Sequence, residues 1–467
     1  MKIARIFLFL LFIHLGVFSQ NVQIKIDALG AHDKIARLVC WTDLITFREK
    51  QLAQAAIDST GHCTLECKLN DTIAARIYIE YYFHDVFLEP KQTYQIQFKP
   101  FDFLNAEEKI NPYIDDMRVD AIVSEKIKPG LNQWMDSLNE VFNLMTMKNF
   151  DNIYYKRQVK LVDTLEANML HLFEDVQDNY FITSLHYKFA LLRQLANLMS
   201  GAKTFTQYFF DQPIFYNNLD YMEFYNQYFE NFAISKSKQI SFYEIRSTIN
   251  KDGSYASLND TLGKDSMLVD EVLREFVMLK GLFELYNHPD FSKQQILNII
   301  EETSHESKFQ QHRTTAENMM FELQQFETNA TAPDFTLKDT KGKKISLQNY
   351  KGKYLYLFFF TTWSDACMSQ MSVISKYAAK YADSVQFLGV SLDRNTIKLD
   401  YFVKENQYNW TLLHFGDNYS FLNAYGVKTF PFAVMIDPKG KIYAYPAEKP
   451  GEKLEKALYE ICFPRLK

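Results

Sequence analysis

Residues 354–371 read Tyr-Leu-Tyr-Leu-Phe-Phe-Phe-Thr-Thr-Trp-Ser-Asp-Ala-Cys-Met-Ser-Gln-Met. The run Tyr354–Phe360 is continuously apolar, which is typical of a β-strand that is buried on both faces of a parallel sheet. It leads into a Trp-x-x-x-Cys turn that ends at Cys367, and a helix is expected from Asp365 onward. A turn that carries a cysteine at the mouth of a helix is a candidate reactive site. Ser364 stands three residues before that cysteine.

The residues around this stretch predict a compact α/β unit over residues 329–467, after a small polar linker at Thr328–Pro333. Besides Tyr354–Phe360, the predicted strands are Phe335–Leu337, Lys344–Leu347, Val385–Val390, Phe432–Ile436 and Lys441–Tyr445. The predicted helices are Asp365–Tyr381, Asn395–Asn406, Ser420–Tyr425 and Glu452–Cys462. Alternating strands and helices of this length are typical of a single α/β domain.

Two further domains are predicted before the linker. Residues 21–102 contain short runs of alternating apolar and polar side chains, and several such runs at this spacing predict a β-sandwich. Three of the predicted strands are Val22–Ala28, Cys63–Leu69 and Ala75–Phe83. Residues 103–328 place apolar side chains at three- and four-residue steps, which predicts helices. Within them, Ser292 followed by Gln295 is typical of a helix N-cap.

The first twenty residues, 1–20, predict a secretory signal peptide. Lys2 and Arg5 give a positive start, an apolar run follows over Ile6–Phe18, and Ser19 is a small residue near the expected cleavage site. The run is short for a membrane span, and no later stretch is apolar enough to be one. No cysteine follows the signal, which argues against a lipid anchor. We therefore expect a soluble exported protein.

Composition excludes some classes of function. The chain has 51 Lys and Arg against 57 Asp and Glu, a net charge of −6, and no long basic run, so we expect no nucleic-acid partner. Its ten histidines show no ligand-like spacing with its five cysteines, so we expect no metal and no cofactor. The odd number of cysteines leaves at least one thiol free or paired between molecules. Cys40 either bridges to Cys63 or Cys67 across a sheet, or all three are buried thiols.

The C-terminal domain resembles a known family through a set of motifs. They are Ala332-Pro-Asp-Phe335, Asp339-x-x-Gly342, Lys351-Gly-Lys353, Trp363-x-x-x-Cys367, Gly389-Val-Ser-Leu-Asp393, Tyr425-Gly-Val427, Pro431 and Ile436-Asp-x-x-Gly440-Lys-Ile442. They are similar to those of the exported thiol–disulfide oxidoreductases of the TlpA/ResA type, in the thioredoxin-fold superfamily that also holds the AhpC/TSA-like peroxiredoxins. The resemblance implies a thioredoxin fold and a redox protein of the periplasm or envelope of a Gram-negative bacterium. Bacteroidetes members of the family often carry β and helical N-terminal extensions similar to the layout here.

The chain departs from the family at the residues that carry the chemistry. The resemblance implies that position 364 belongs to the attacking cysteine, and Ser364 stands there instead. The family's helix also carries a Glu and a Pro near the positions of Gln370 and Ser372. We expect Ser364 to cap the helix by accepting the amide of Cys367. Our first hypothesis is a degenerate family member that cannot exchange disulfides and has a binding or scaffold role.

An alternative is a one-cysteine redox enzyme that uses Cys367 as a peroxidase or mixed-disulfide oxidoreductase. Ser364-x-x-Cys367 resembles the Thr/Ser-x-x-Cys of peroxiredoxins, although Phe360 stands where those enzymes have a proline. Asp365 also opposes a thiolate nearby. A third reading pairs Cys367 with Cys462 in a non-local redox couple. The sequence alone leaves open whether the protein is an enzyme.

A binding groove is implied by the same resemblance. Phe430-Pro431 is similar to the cis-proline turn that faces the active site in the family, and the backbone beside that turn pairs with a bound peptide. Trp363, Phe430 and Pro431 are therefore candidate groove residues for a protein or peptide client. The alternative is that these three side chains only pack the turn.

Overall fold

In the computed structural model, the described residues are 20–80, 82–99, 116–125, 129–232, 234, 237, 239–393, 396–406, 408, 410–416 and 418–463. The predicted signal peptide over residues 1–20 lies outside these residues, apart from Gln20. Among the described residues, no helix combines the length and the apolar character that crossing a membrane requires.

Nine strands in the N-terminal part of the described chain form two sheets. They are β1 (Gln20–Asp27), β2 (Ile35–Trp41), β3 (Glu49–Ala56), β4 (His62–Leu69), β5 (Ile73–Ile79), β6 (Tyr82–Leu88), β7 (Thr93–Phe98), β8 (Met117–Arg118) and β9 (Ala121–Glu125). One sheet has the order β4-β1-β7-β9, and the other has the order β3-β2-β5-β6-β8. Buried side chains from both sheets, such as Ile24 and Ile77, belong to one apolar core.

The β-sandwich over residues 21–102 stays a prediction, and two local expectations were wrong. Ala75–Phe83 is not one strand, because the chain turns at Glu80, whose φ of 59° is incompatible with a continuing strand. Residues 117–125 lie in the range predicted as helical, yet they carry β8 and β9. Pairing of β9 with β7 along five residues outweighs the local pattern there.

Ten α-helices follow in the described chain. They are α1 (Leu131–Lys148), α2 (Val159–Leu172), α3 (Asn179–Leu195), α4 (Gly201–Tyr208), α5 (Leu219–Tyr228), α6 (Phe242–Ser247), α7 (Tyr255–Leu262), α8 (Glu271–Leu285), α9 (Lys293–Glu306) and α10 (Gln310–Gln324). The predicted N-cap of α9 is confirmed, because the Ser292 hydroxyl accepts the N–H of Gln295 at 3.4 Å. The boundaries predicted between the domains stay predictions.

A buried polar network ties this helical region together. Glu275 on α8 is fully buried and accepts a hydrogen bond from the Tyr255 hydroxyl at 2.6 Å and another from Ser307. Its Oε1 lies 2.8 Å from Nδ1 of His312 on α10, whose Nε2 contacts the Tyr216 hydroxyl at 2.7 Å. Burial raises the pKa of Glu275, but the hydrogen bonds from His312 and the two hydroxyls outweigh it and hold the pKa below its usual value. The network fixes α8 against α10, the last helix before the linker.

Seven strands form the sheet in the described part of the C-terminal unit. They are β10 (Thr336–Asp339), β11 (Lys344–Ser346), β12 (Tyr354–Phe360), β13 (Val385–Ser391), β14 (Thr411–His414), β15 (Phe432–Ile436) and β16 (Ile442–Ala444), in the order β11-β10-β14-β13-β12-β15-β16. The predicted central strand has the bounds expected for it, and it pairs parallel with β13 and antiparallel with β15. Residues 355–360 are all buried, because helices and loops cover both faces of the sheet.

Four α-helices are described in this unit: α11 (Asp365–Lys380), α12 (Thr396–Asn406), α13 (Tyr419–Ala424) and α14 (Glu452–Cys462). Three of them match the predicted ranges to within one residue at each end. For α12 the predicted first residue, Asn395, lies outside the described residues. Strand β14 was missed, since four residues with a polar residue at each end give little periodic signal.

Aromatic contacts attach the C-terminal unit to the helical region. The rings of Phe326, just after α10, and Tyr445, just after β16, stack with centroids 4.0 Å apart. Gly426 makes room for both rings: its φ is 59°, and a Cβ there would lie 2.4 Å from the Tyr445 hydroxyl. Within α10, the ring centre of Phe321 lies 3.8 Å from the guanidinium of Arg48, which also donates a hydrogen bond to Asn318 at 3.2 Å.

Candidate functional site

The predicted turn connects the central strand, β12, to helix α11. Strand β12 ends at Phe360, and α11 begins at Asp365 with Ser364 as its N-cap. The Ser364 hydroxyl accepts the backbone N–H of Cys367 at 3.4 Å, as expected for a capping serine. This bond satisfies one of the helix's free N–H groups. The atom that faces the end of the helix at this position is therefore an alcohol oxygen.

Cys367 lies one turn inside the helix and is completely buried. Its exposed fraction is 0%, and it packs in a core that also holds Phe360, Met371 and Phe430. Burial raises the pKa of the Cys367 thiol above its usual value of 9.0. The neighbouring polar groups of Ser364 and Thr361 lower the pKa of the Cys367 thiol, but they do not overcome the effect of burial.

A buried carboxylate holds the turn from the neighbouring strand. Asp393 follows β13, is 0% exposed, and accepts the backbone N–H and the hydroxyl of Thr362 at 3.1 Å and 3.0 Å. The Ser391 hydroxyl donates to the same carboxylate at 2.6 Å, and His414 Nε2 contacts the Asp393 carbonyl oxygen. The negative charge of Asp393 also raises the pKa of Cys367. From the sequence, Asp393 was noted only as the last residue of the motif Gly389–Asp393. Its position just after a buried parallel strand could have identified it as a site residue, because site residues often follow the carboxyl ends of such strands.

The structure brings the three predicted groove residues together beside this turn. The Phe430–Pro431 peptide bond is cis, as the resemblance implied. The ring of Trp363 meets the ring of Phe430 edge to face, with centroids 5.4 Å apart. Trp363 and Pro431 are half-buried, whereas Phe430 is buried. A second cis bond, Tyr445–Pro446, was not anticipated from the sequence.

All five cysteines are unpaired. They are Cys40, Cys63, Cys67, Cys367 and Cys462. The structure therefore contains neither the bridge considered for Cys40 nor the couple considered between Cys367 and Cys462. Burial raises the pKa of both Cys63 and Cys67 to about 11. Within the described ranges, no group of three or more His, Cys, Asp or Glu side chains is placed to hold a metal ion.

A cleft of 1650 Å³ lies elsewhere, at the junction of the three parts of the chain. Its lining includes Arg48 from the N-terminal sheets, Phe326 from the end of the helical region and Val427 from the C-terminal unit. Neither Ser364 nor Cys367 lines it. The turn that carries Ser364 and Cys367 is therefore separate from this cleft.

The raised pKa of Cys367 predicts slow alkylation. When the native protein is treated with iodoacetamide and its cysteine peptides are quantified by mass spectrometry, we expect Cys367 to label more slowly than the half-exposed Cys462 at pH 7. Because the thiolate is the reacting form, its labelling rate should keep rising as the pH passes 9. Faster labelling of Cys367 than of Cys462 at pH 7, levelling off below pH 9, would contradict this account.

Comparisons with known proteins agree with the motifs. The AhpC/TSA family model matches residues 328–445. The thiol-disulfide oxidoreductase ResA of Bacillus thuringiensis subsp. konkukian is 30% identical over 140 residues, which are 30% of this chain and 80% of that protein. ResA of Bacillus subtilis is 31% identical over 112 residues, which are 24% of this chain and 62% of that protein.

Solved structures of similar proteins include the thioredoxin domain of a thiol-disulfide oxidoreductase from Bacteroides vulgatus, with 28% identity, a TM-score of 0.27, and coverage of 29% of this chain and 96% of that one. A thiol:disulfide interchange protein from Bacteroides sp. has 26% identity, a TM-score of 0.28, and coverage of 30% and 94%. Together with the strand–turn–helix at Cys367, the identity to ResA over most of its length leads to one conclusion. Through its C-terminal unit, the chain belongs to the TlpA/ResA-like family of thiol-disulfide oxidoreductases with a thioredoxin fold.

Proposed function

We propose that this protein is an exported, thioredoxin-like member of the bacterial envelope that does not exchange disulfides and acts by binding a polypeptide. The observation that carries the proposal is the N-cap of α11. Ser364 occupies the position that the family resemblance gives to the attacking cysteine, and its oxygen is engaged with the amide of Cys367. No other cysteine is bonded to Cys367.

The chemistry of disulfide exchange explains why this substitution is decisive. A thiolate attacks one sulfur of a client disulfide, a mixed disulfide forms, and a second thiol of the enzyme then releases the reduced client. A serine hydroxyl forms no bond of this kind. The remaining thiol, on Cys367, is fully buried, so a client sulfur has no path to it in this conformation.

The one-cysteine alternative is less well supported. A peroxidase or a mixed-disulfide carrier needs a thiol that ionises near neutral pH and meets its substrate. Burial and the charge of Asp393 both oppose ionisation of Cys367. The same contacts suit a thiol that fills space beneath the turn, and we therefore favour the binding role.

Restoring the missing sulfur should restore part of the chemistry. We expect the wild-type protein to reduce insulin at the background rate in a dithiothreitol-coupled assay, and Ser364→Cys to exceed that rate by roughly tenfold or more, because the new thiol lies at the helix N-terminus. On oxidation, the Ser364→Cys protein should also lose two titratable thiols relative to its reduced form, because a disulfide forms between residues 364 and 367. Ser364→Ala is the matched control and should remain at background.

Two results of this assay would contradict the proposal. Wild-type turnover that disappears in Cys367→Ser would establish a one-cysteine enzyme. Turnover that persists in Cys367→Ser would place redox chemistry at another cysteine. A Ser364→Cys protein that stays inactive but forms the 364–367 disulfide would instead point to the altered helix residues, Gln370 and Ser372, as a second loss.

The binding surface that we propose is the groove at Trp363, Phe430 and Pro431. Its aromatic pair is held by ring contact and not by sulfur, so it persists without the redox site. An extended polypeptide that pairs with the backbone beside Pro431 would cover the half-buried face of Trp363. Exposed tryptophan faces contribute strongly to binding when they are buried by a partner.

A soluble probe tests the groove without any thiol chemistry. We expect reduced, carboxymethylated α-lactalbumin, an unfolded polypeptide with blocked cysteines, to bind the wild-type protein, with Trp363→Ala weakening binding by about tenfold. Tyr443→Ala, which removes an exposed aromatic ring from the edge strand β16, should bind like wild type. Isothermal titration calorimetry measures both affinities. Equal effects of the two substitutions, or no binding at all, would argue that the ring pair only packs the turn.

Export and the domain layout are part of the same proposal. We propose that residues 1–20 direct secretion, that the two N-terminal sheets form a β-sandwich, and that a helical middle connects it to the thioredoxin-like unit from residue 329. The pairing of β9 extends the first part to Glu125.

Fractionation of producing cells should find the mature protein in the periplasm with its N-terminus near Asn21. Uncleaved protein in the cytoplasm would refute export.

A further inference from the structure

The hairpin between α1 and α2 carries an exposed apolar surface that the proposed function does not use. We call residues 144–160 the α1–α2 tip. The fully buried side chains of α1 lie in its first half, up to Leu138. In its second half Phe142 and Met145 still pack against the core with one side of the helix, while Leu144 and Met147 are exposed. The most exposed apolar side chains of the tip are Met147 at 74% and Tyr155 at 76%, and three more are about half exposed: Leu144, Phe150 and Val159.

The tip has the opposite charge from the rest of the chain. Its cations are Lys148, Lys156, Arg157 and Lys160, and all four are exposed. Its one carboxylate is Asp151. The whole chain has a net charge of −6. A small excess of positive charge is thus concentrated on the same segment that exposes the apolar side chains.

The backbone of the tip holds these side chains outward. Residues Asp151–Tyr155 form a π-helical turn, a rare conformation that is frequent at functional sites. Only Ile153 of this turn is buried, and it anchors the turn to the core beneath. The Phe150 ring packs on Tyr154 at 4.8 Å and Tyr155 at 5.9 Å between centroids, so the aromatic rings form one surface. After the turn, Arg157 adopts a φ of 49°, which is uncommon for a residue with a side chain.

From this arrangement we propose that the α1–α2 tip binds the surface of an anionic lipid bilayer. Apolar and aromatic side chains interleaved with lysine and arginine are typical of segments that lie in the interfacial region of a membrane. Tyrosine places its ring at the boundary between headgroups and acyl chains while its hydroxyl stays hydrated, and lysine extends past the ring to the lipid phosphates. Protein–protein interfaces also enrich Met, Phe, Tyr and Arg, but they deplete lysine, and three of the four cations of the tip are lysines, which favours a lipid surface over a polypeptide partner. The inference is independent of the redox state of the C-terminal unit.

Vesicle flotation with the full mature chain tests the proposal. We expect the protein to float with vesicles of equal parts phosphatidylglycerol and phosphatidylcholine, and to float several-fold less with pure phosphatidylcholine or in high salt. Tyr155→Glu should reduce the bound fraction by about tenfold. The matched control is Tyr243→Glu, which changes a tyrosine of the same 76% exposure on α6 and should bind like wild type.

A second pair of variants separates local charge from net charge. Lys160→Glu and Lys203→Glu alter the net charge equally, and each places an acid in the first turn of a helix, where it favours folding. Lys160→Glu should weaken vesicle binding about five- to tenfold, and Lys203→Glu should not. The proposal is overturned if wild type does not float with the anionic vesicles or if the paired variants behave alike. It is also overturned if the protein self-associates through the tip, which would make the tip a contact between copies.

Discussion

The buried strand β12 is the constraint on which the site depends. Both faces of β12 are covered, so its end at Phe360 is fixed, and the Asp393 carboxylate ties the next residues to the neighbouring strand through Thr362. With strand and turn held in this way, the start of α11 has little freedom. The side chain at position 364 must face the free N–H groups of the helix. The chemistry available at position 364 then depends on the side-chain atom there. A cysteine sulfur would ionise at the helix N-terminus, whereas the serine oxygen accepts a hydrogen bond and remains neutral.

The stability of the fold does not depend on the groups that disulfide exchange needs, because different interactions support the two. The stability of the sheet comes from apolar burial along β12 and its neighbours, and replacing one sulfur at the helix mouth removes none of it. The edge-to-face contact of Trp363 with Phe430 likewise needs no thiol. Disulfide exchange, in contrast, needs two sulfurs within bonding distance and a proton acceptor for the first. A family member can therefore keep its architecture and its groove after the reaction is lost.

The same physics explains which features the sequence made predictable. Strand β12 and helices α11 and α14 have long, regular patterns, and their bounds agree with expectation. The Ser364 cap was predictable because it is local, with donor and acceptor three residues apart. The role of Asp393 was not, since its partner Thr362 is 31 residues away and only the parallel pairing of β12 with β13 brings them together. The turn at Glu80 and strand β9 were missed for a similar reason, because tertiary pairing decided them against the local pattern.

The function we propose has no covalent step, and this changes what a client complex requires. A mixed disulfide holds a client by a bond that thiols must break, whereas a groove without one holds it only by burial and backbone pairing. Association costs several kcal/mol in lost translational and rotational freedom before any contact is counted. A protein that keeps such a groove gains from being confined near its clients, because confinement raises their effective concentration. The charged, apolar tip on the helical region lies in a different part of the chain from the groove, and a surface of that composition is suited to confinement at a membrane.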